Sequence, residues 1–295
     1  MGSTRQTVEL GPPEGAASLG ASEPRPTPGP ATRPAAHRLL PTGLAGPLFV
    51  VLLLAVWETL SQLKLVNVLL FPPVSTILAR FLTLWTDNTF PSNLLPTLAR
   101  MLLGYALAAG LAIPLGTLMG FWCGVYDRLE PLLEFLRPLP PVAVLPALVL
   151  FLGIGDEMKV AIVLFGCFWP ILLNTVDGVR GVHPTIVEVA LMYQFTTARI
   201  LRSVVLPAAL PQIMAGLRTG LAIALIVAIV SEMIGATQGL GFFIVLAQRG
   251  FRIADMYAGI VLLAIVGYLL NRGFLLIEAH LMAWHRAQMS PGGEG

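Results

Sequence analysis

The sequence is poor in charge. Asp, Glu, Lys and Arg make up 12% of its 295 residues, about half the roughly 25% of a soluble globular domain. With 56% hydrophobic residues and a mean hydropathy of +0.81, this excludes an ordinary water-soluble globule and implies an integral membrane protein. A net charge of +2 is too small to attract nucleic acid. Cysteine is scarce, and Cys123 and Cys167 fall in or beside apolar stretches, so neither a disulfide framework nor a metal site is implied. Lysine occurs at Lys64 and Lys159, neither of which ends a glycine loop. A Walker A lysine must reach the phosphates from such a loop, so no nucleotide site of that kind is present. His37, His183, His280 and His285 are scattered, with no H-E-x-x-H and no G-x-S-x-G. No catalytic residue, metal or cofactor is therefore assigned to this chain, and it is read as a non-enzyme.

What is present is organised. Residues 1–42 are rich in Pro, Gly, Ala, Ser and Thr without apolar periodicity. They read as a disordered tail, because they bury too little surface to offset ordering entropy. Residues 43–286 form the membrane domain, and 287–295 a flexible C-terminal tail. Six apolar spans are expected near 44–62, 98–122, 132–153, 159–177, 208–231 and 256–280, each close to the ~20 residues that cross the hydrocarbon. Only helices fit, since lipid offers an open strand edge no partner. The third span holds Pro138, Pro140, Pro141 and Pro146, which are expected to break or kink it. With the N-terminus inside, ten Lys and Arg fall on the inner side and six on the outer, which favours both termini in the cytoplasm.

Two outer-face segments read as interfacial. After Pro72-Pro73, Ser75 is expected to cap a helix with Ile77, Leu78, Phe81, Leu82 and Trp85 on one face. Between the last two spans, Gly235, Gly239 and Gly241 allow tight turns before Phe242 and Phe243. Gly116 and Gly120, and likewise Gly216 and Gly220, are four apart and mark close helix packing. Arg218 lies roughly 10 Å into the fifth span at 1.5 Å per residue, where it either lines a pathway or snorkels. Glu58 is expected to anchor the outer end of the first span. Glu232 ends the fifth span, where it is expected to face an arriving partner together with Gly239 and Gly241. Spans two, four and five carry no acid in their interiors, which weighs against a proton-coupled carrier.

The segment 188–211, E-V-A-L-M-Y-Q-F-T-T-A-R-I-L-R-S-V-V-L-P-A-A-L-P, is amphipathic and basic between two apolar spans. It resembles the cytoplasmic coupling loop of ATP-binding-cassette importer permeases. Glu188, Val189 and Ala190 open it; Val204, Leu206 and Pro207 close it. Gln194 stands where that family has glycine. The stretches L-R-P-L-P-P-V-A-V-L-P at 136–146, F-G-C-F-W-P-I-L-L-N-T at 165–175, S-E-M-I-G-A-T-Q-G-L-G at 231–241 and F-P-P-V-S at 71–75 are similar to the nitrate, sulfonate, taurine and bicarbonate group of these permeases.

The resemblance implies an all-α type I importer permease with six spans and a coupling helix, working as a homodimer. It implies two ATP-binding-cassette subunits that carry ATP and Mg, a periplasmic or extracellular solute-binding protein, and residence in a bacterial inner membrane. A helix near Thr185–Thr197 is expected to dock on the ATPase through Met192, Tyr193 and Phe195, with Glu188 in its first turn. A glycine there permits a positive-φ turn that glutamine pays to adopt, so either the turn is expected to shift or it is expected to use ordinary dihedrals. Pro138, Pro140, Pro141 and Val142, with Arg218, are the candidates for the pathway and gate, because freed carbonyls persist in a membrane only where protein or water satisfies them. The cargo expected is a small anion such as an alkanesulfonate or taurine, with nitrate, bicarbonate, aromatic carboxylates and neutral cargo open. The competing readings are a secondary carrier or channel without an ATPase, and a structural scaffold.

Overall fold

The computed structural model describes residues 42–282. The expected tails lie outside them, apart from Thr42. The described chain is helical: α1 (Thr42–Gln62), α2 (Val74–Thr86), α3 (Thr89–Phe121), α4 (Cys123–Leu136), α5 (Pro141–Leu152), α6 (Asp156–Arg180), α7 (Pro184–Met192), α8 (Thr197–Ile200), α9 (Leu206–Gly235), α10 (Leu240–Arg249) and α11 (Ile253–Leu281). A π-helical turn, Leu201–Val205, joins α8 to α9. The chain divides at Val50 into two units. The first contributes only the start of α1 to the described residues, and the second holds the rest of α1 and every later helix.

Among the described residues, four helices are long and apolar enough to cross a membrane: α3, α6, the run Thr197–Gly235 and α11. A fifth crossing exists if the bent pair α4 and α5 is one span. The six expected spans are thus not all met as single helices; of α1, Leu48–Gln62 qualifies as a shorter apolar helix. The third span is the clearest correction. It is two helices at 93° to each other, separated at Arg137–Pro140. Pro140 is extended with ψ 132° and Pro141 starts α5, where a missing N–H costs nothing. Pro146, by contrast, sits inside α5.

The core is α3, α6 and α9. Gly104 of α3 lies against Val160 and Val163 of α6, and Gly120 against Val179, so these helices run in the same direction. Gly220 of α9 lies against Ile171 and Gly178 of α6 against Ala209, so α9 runs back. Gly216 shows why glycine is needed: a Cβ there would sit 2.6 Å from the Asn174 Cβ and 3.0 Å from the Pro170 carbonyl oxygen. Around these contacts Met101, Ala108, Ile162, Cys167, Ile171, Leu172, Ala224 and Ala228 are buried. The paired glycines expected to mark helix contacts therefore do so within one chain.

The expected cap of α2 does not form. Pro73 occupies the N-cap without a side-chain hydrogen bond. Ser75 instead gives its hydroxyl and amide protons to the Glu58 carboxylate, at 2.8 and 3.1 Å. Glu58 thus anchors α1 to α2, as expected. The buried face of α2 is Ile77 and Leu84, while Leu78, Leu82 and Trp85 are exposed.

Candidate functional site

Two features stand at opposite ends of the bundle. They are about 37 Å apart along α9, the 25 steps from Pro207 to Glu232 at 1.5 Å each.

The first is the connection between α6 and α9. Pro184 opens α7, and His183 Nδ1 accepts from the Thr185 amide at 3.4 Å. Glu188 is exposed but lies past the first turn, not in it. The helix ends in a Schellman motif: Gln194 N–H donates to the Leu191 carbonyl at 2.8 Å and Phe195 N–H to the Ala190 carbonyl at 3.1 Å. That motif requires a left-handed residue, and Gln194 supplies it with φ +56°. This corrects the expectation of a shifted turn or ordinary dihedrals: the turn is kept at the glycine's position, and the glutamine bears the steric cost, roughly 1–2 kcal/mol, because the Schellman end specifies one left-handed residue.

The motif sorts the side chains. Met192 and Tyr193 project outward, 82% and 72% exposed, with Val189 beside them. Ala190 is buried against Ile200, Val205 and Ala209. Phe195 was expected among the docking residues, but it turns inward onto this cluster under the Arg199 guanidinium, 4.2 Å from the ring centroid. Pro207 sits in the first turn of α9, where its missing N–H is tolerated.

The proline break places Pro138, Pro140 and Val142 at the surface, and Pro141 beside Gly166 of α6. Arg218 is exposed and borders a cavity of about 190 Å³ with Leu221, Leu225 and Asn271. The structure does not bring Arg218 to the proline break by any hydrogen bond or ion pair among the described residues.

The second feature is an ionic cluster. Glu232 corrects an expectation: it is 1% exposed, so its carboxylate does not face a partner in this conformation. The physical reason is that α9 runs on to Gly235, so Glu232 lies inside a helix that was expected to end at 231. Arg100 Nη1 donates to its Oε1 at 3.0 Å and also to the Gln238 carbonyl at 3.0 Å. The Thr97 hydroxyl lies 2.9 Å from both carboxylate oxygens, and the Gly241 amide donates to Oε2 at 3.0 Å. The amides of Gly239 and Leu240 donate to Asn93 and Thr97 of α3. Gly239 adopts φ +127°, and a Cβ there would fall on the Glu232 carboxylate. The loop 236–241 is thus pinned to α3.

The far side of the Arg100 guanidinium meets Asp156 of α6, Nε to Oδ1 at 2.8 Å, and Lys159 approaches the same oxygen at 3.5 Å. Two cations and two carboxylates balance, which lets four charges persist where isolated ones are costly. Sequence reasoning missed Asn93, Thr97, Arg100, Asp156 and Lys159 as a site. The available signal was an arginine just inside an apolar span and an acid at the matching end of another.

A second ion pair is Arg80–Asp255, bidentate at 2.6 and 3.0 Å, with Arg252 3.7 Å from Asp255. Its hydrogen bonds and charge hold the Arg80 guanidinium above its usual pKa.

The family model described as "Binding-protein-dependent transport system inner membrane component" matches residues 112–282. The chain belongs to this family. It is 34% identical over 238 residues to the taurine transport system permease protein of Escherichia coli (strain K12), covering 79% of this chain and 86% of that one. It is 32% identical to a putative aliphatic sulfonates transport permease protein of Bacillus subtilis (strain 168), covering 83% and 88%. A nitrate import permease protein of Synechocystis sp. is 28% identical, covering 66% and 70%. Among solved structures, the MetNI methionine ABC transporter in an inward-facing conformation matches with a TM-score of 0.58 at 20% identity, covering 64% of this chain and 94% of that one. That likeness shows the fold, an all-α type I importer permease. The chain is a multi-pass membrane permease subunit of a binding-protein-dependent importer, a family whose members work with an ATPase and a binding protein.

Proposed function

We propose that this permease works as a homodimer on two ATP-binding-cassette subunits and admits a small alkyl sulfonate, taurine among them. ATP and Mg reside on the ATPase partner. The observation that carries the docking reading is the end of α7, where Met192 and Tyr193 stand exposed on a rigid Schellman turn. Large side chains presented this way anchor interfaces, because each buries much area against a partner. The cargo reading rests on the taurine and sulfonate relatives.

Orientation follows from the same surface. With α7 on the cytoplasmic side, where the ATPase must be, the Arg100–Glu232 cluster lies at the outer end. α11 packs back along α9 toward the α7 end, so its last turn is cytoplasmic on this reading, and both termini are proposed to lie in the cytoplasm. Such a side assignment agrees with the excess of inner-side arginines. The proline break remains the proposed gate, with Val142 as its exposed edge.

The test is recovery of the tagged chain from its own host in mild detergent, followed by identification of its partners and by uptake of radiolabelled taurine in cells. The expected result is a Walker-A-bearing ATPase that is lost when Met192 and Tyr193 are changed to Ala together. A folded chain recovered alone, moving solute without ATP, would replace this reading with a secondary carrier.

A further inference from the structure

The cations under Asp156 are better buried than the carboxylate they hold. Asp156 is 66% exposed at its side chain, whereas Arg100 and Lys159 are 10% and 4% exposed. The bonding is also incomplete. Arg100 Nε is buried and lacks an aligned hydrogen-bond acceptor, although Asp156 Oδ1 lies 2.8 Å from it. Lys159 reaches that oxygen at 3.5 Å, beyond the usual range for a charge-assisted bond. Asp156 is itself the first residue of the 25-residue α6, and Gly155 at the N-cap offers no side-chain acceptor. The opening amides of α6 are therefore uncapped by any side chain, at the positive end of the helix dipole.

We propose that Arg100, Lys159 and the start of α6 form an anion-exchange subsite, in which the sulfonate group of the cargo replaces the Asp156 carboxylate. The proposal rests on the reading of the cargo as a sulfonate. The exchange preserves charge between its two end states: one anion leaves the two cations and another takes its place. A sulfonate brings three acceptor oxygens to three donors that Asp156 serves poorly: the Arg100 Nε–H, the Lys159 ammonium and an α6 amide. Asp156 is able to withdraw because most of its side chain is already in solvent.

Placement suits the role. The subsite is at the end of the bundle opposite α7, which is the side from which cargo arrives. The other edge of the same guanidinium holds Glu232 and the Gln238 carbonyl. An anion seated on Arg100 Nε thus bears on the guanidinium that pins the loop 236–241.

The test uses the purified complex with its ATPase in lipid nanodiscs, without binding protein, and radiolabelled ethanesulfonate as the probe. Asp156→Asn removes the resident competitor, so saturable binding is expected to tighten on the order of tenfold over the unaltered complex, one charged contact's worth. Lys159→Met should abolish that binding and Lys159→Arg restore it, which a purely structural lysine would not do. Absence of saturable binding to a monodisperse, ATP-hydrolysing Asp156→Asn complex overturns the subsite, as does binding indifferent to Lys159→Met. Competition by sulfate as strong as by unlabelled ethanesulfonate overturns the cargo assignment in favour of a free inorganic oxyanion. The two readings fail separately. Cells that take up sulfonate while the Asp156→Asn complex binds none refute the subsite alone. Cells that take up none refute the cargo reading, whatever the nanodiscs show.

Discussion

Replacing Arg100 with Met should destabilise the fold more than any surface substitution. Glu232 is 1% exposed and takes its single cationic hydrogen bond from Arg100 Nη1, at 3.0 Å. Without it, the carboxylate keeps only the neutral donors Thr97 and Gly241. Breaking a buried pair by removing one partner costs about 3–5 kcal/mol, because the remaining charge stays desolvated. For a chain of this size each kcal/mol moves Tm by about 2–4 °C, so a loss of about 10 °C is expected. The double variant Arg100→Met with Glu232→Gln removes the orphaned charge and should recover a large part of the loss, giving a coupling energy well above about 1 kcal/mol. The assay is thermal unfolding of the detergent-solubilised chain, followed by the rise in fluorescence of a thiol dye at the buried Cys167. If the double variant unfolds at the sum of the two single losses, Arg100 and Glu232 do not act as a pair and the reasoning fails.

Four other contacts give measurable outcomes. Gln194→Gly should relieve the left-handed strain and raise stability of the α7 turn by about 1 kcal/mol, while Gln194→Val should lower it; hydrogen exchange at the Phe195 amide reads both. Gly216→Leu should separate α6 from α9, since even a Cβ meets Asn174 at 2.6 Å, and the expected outcome is loss of folded protein in the membrane fraction. Gly239→Ala adds a Cβ onto the Glu232 carboxylate at a backbone angle L-residues avoid; limited proteolysis should find loop 236–241 newly cut. Tyr193→Ala should weaken ATPase association by about 2 kcal/mol, roughly 30-fold, without changing Tm, as measured by titration of the purified ATPase onto the permease in nanodiscs.

Much was legible from one dimension because lipid imposes it. Apolar stretches such as 98–122 and 256–280 appear as α3 and α11, since a chain in hydrocarbon satisfies its backbone only within a helix. The break at Pro138–Pro141 was legible for the related reason that proline lacks an amide to donate. The short helix between α6 and α9 was legible as an amphipathic segment between apolar spans, and the Gln194 turn forms at the glycine's position because a Schellman end specifies one left-handed residue whatever its side chain. Other features were not local. Ser75 was expected to cap its own helix, yet its hydroxyl goes to Glu58, 17 residues earlier. Phe195 looked like a docking residue, but Ile200 and Val205 offered it a cluster to fill.

The amino-acid sequence by itself determined the solvent of this protein, its all-helical class and its family, because hydropathy, proline placement and residue spacing act along the chain. Only the tertiary structure decided which charges meet. Arg100, Asp156, Lys159 and Glu232 stand on three helices up to 132 residues apart; only Asp156 and Lys159, three apart on α6, are paired by their spacing. They come together because close glycine packing sets the registers of α3, α6 and α9. A buried charge then survives only at the depth where an opposite charge from a neighbouring helix arrives.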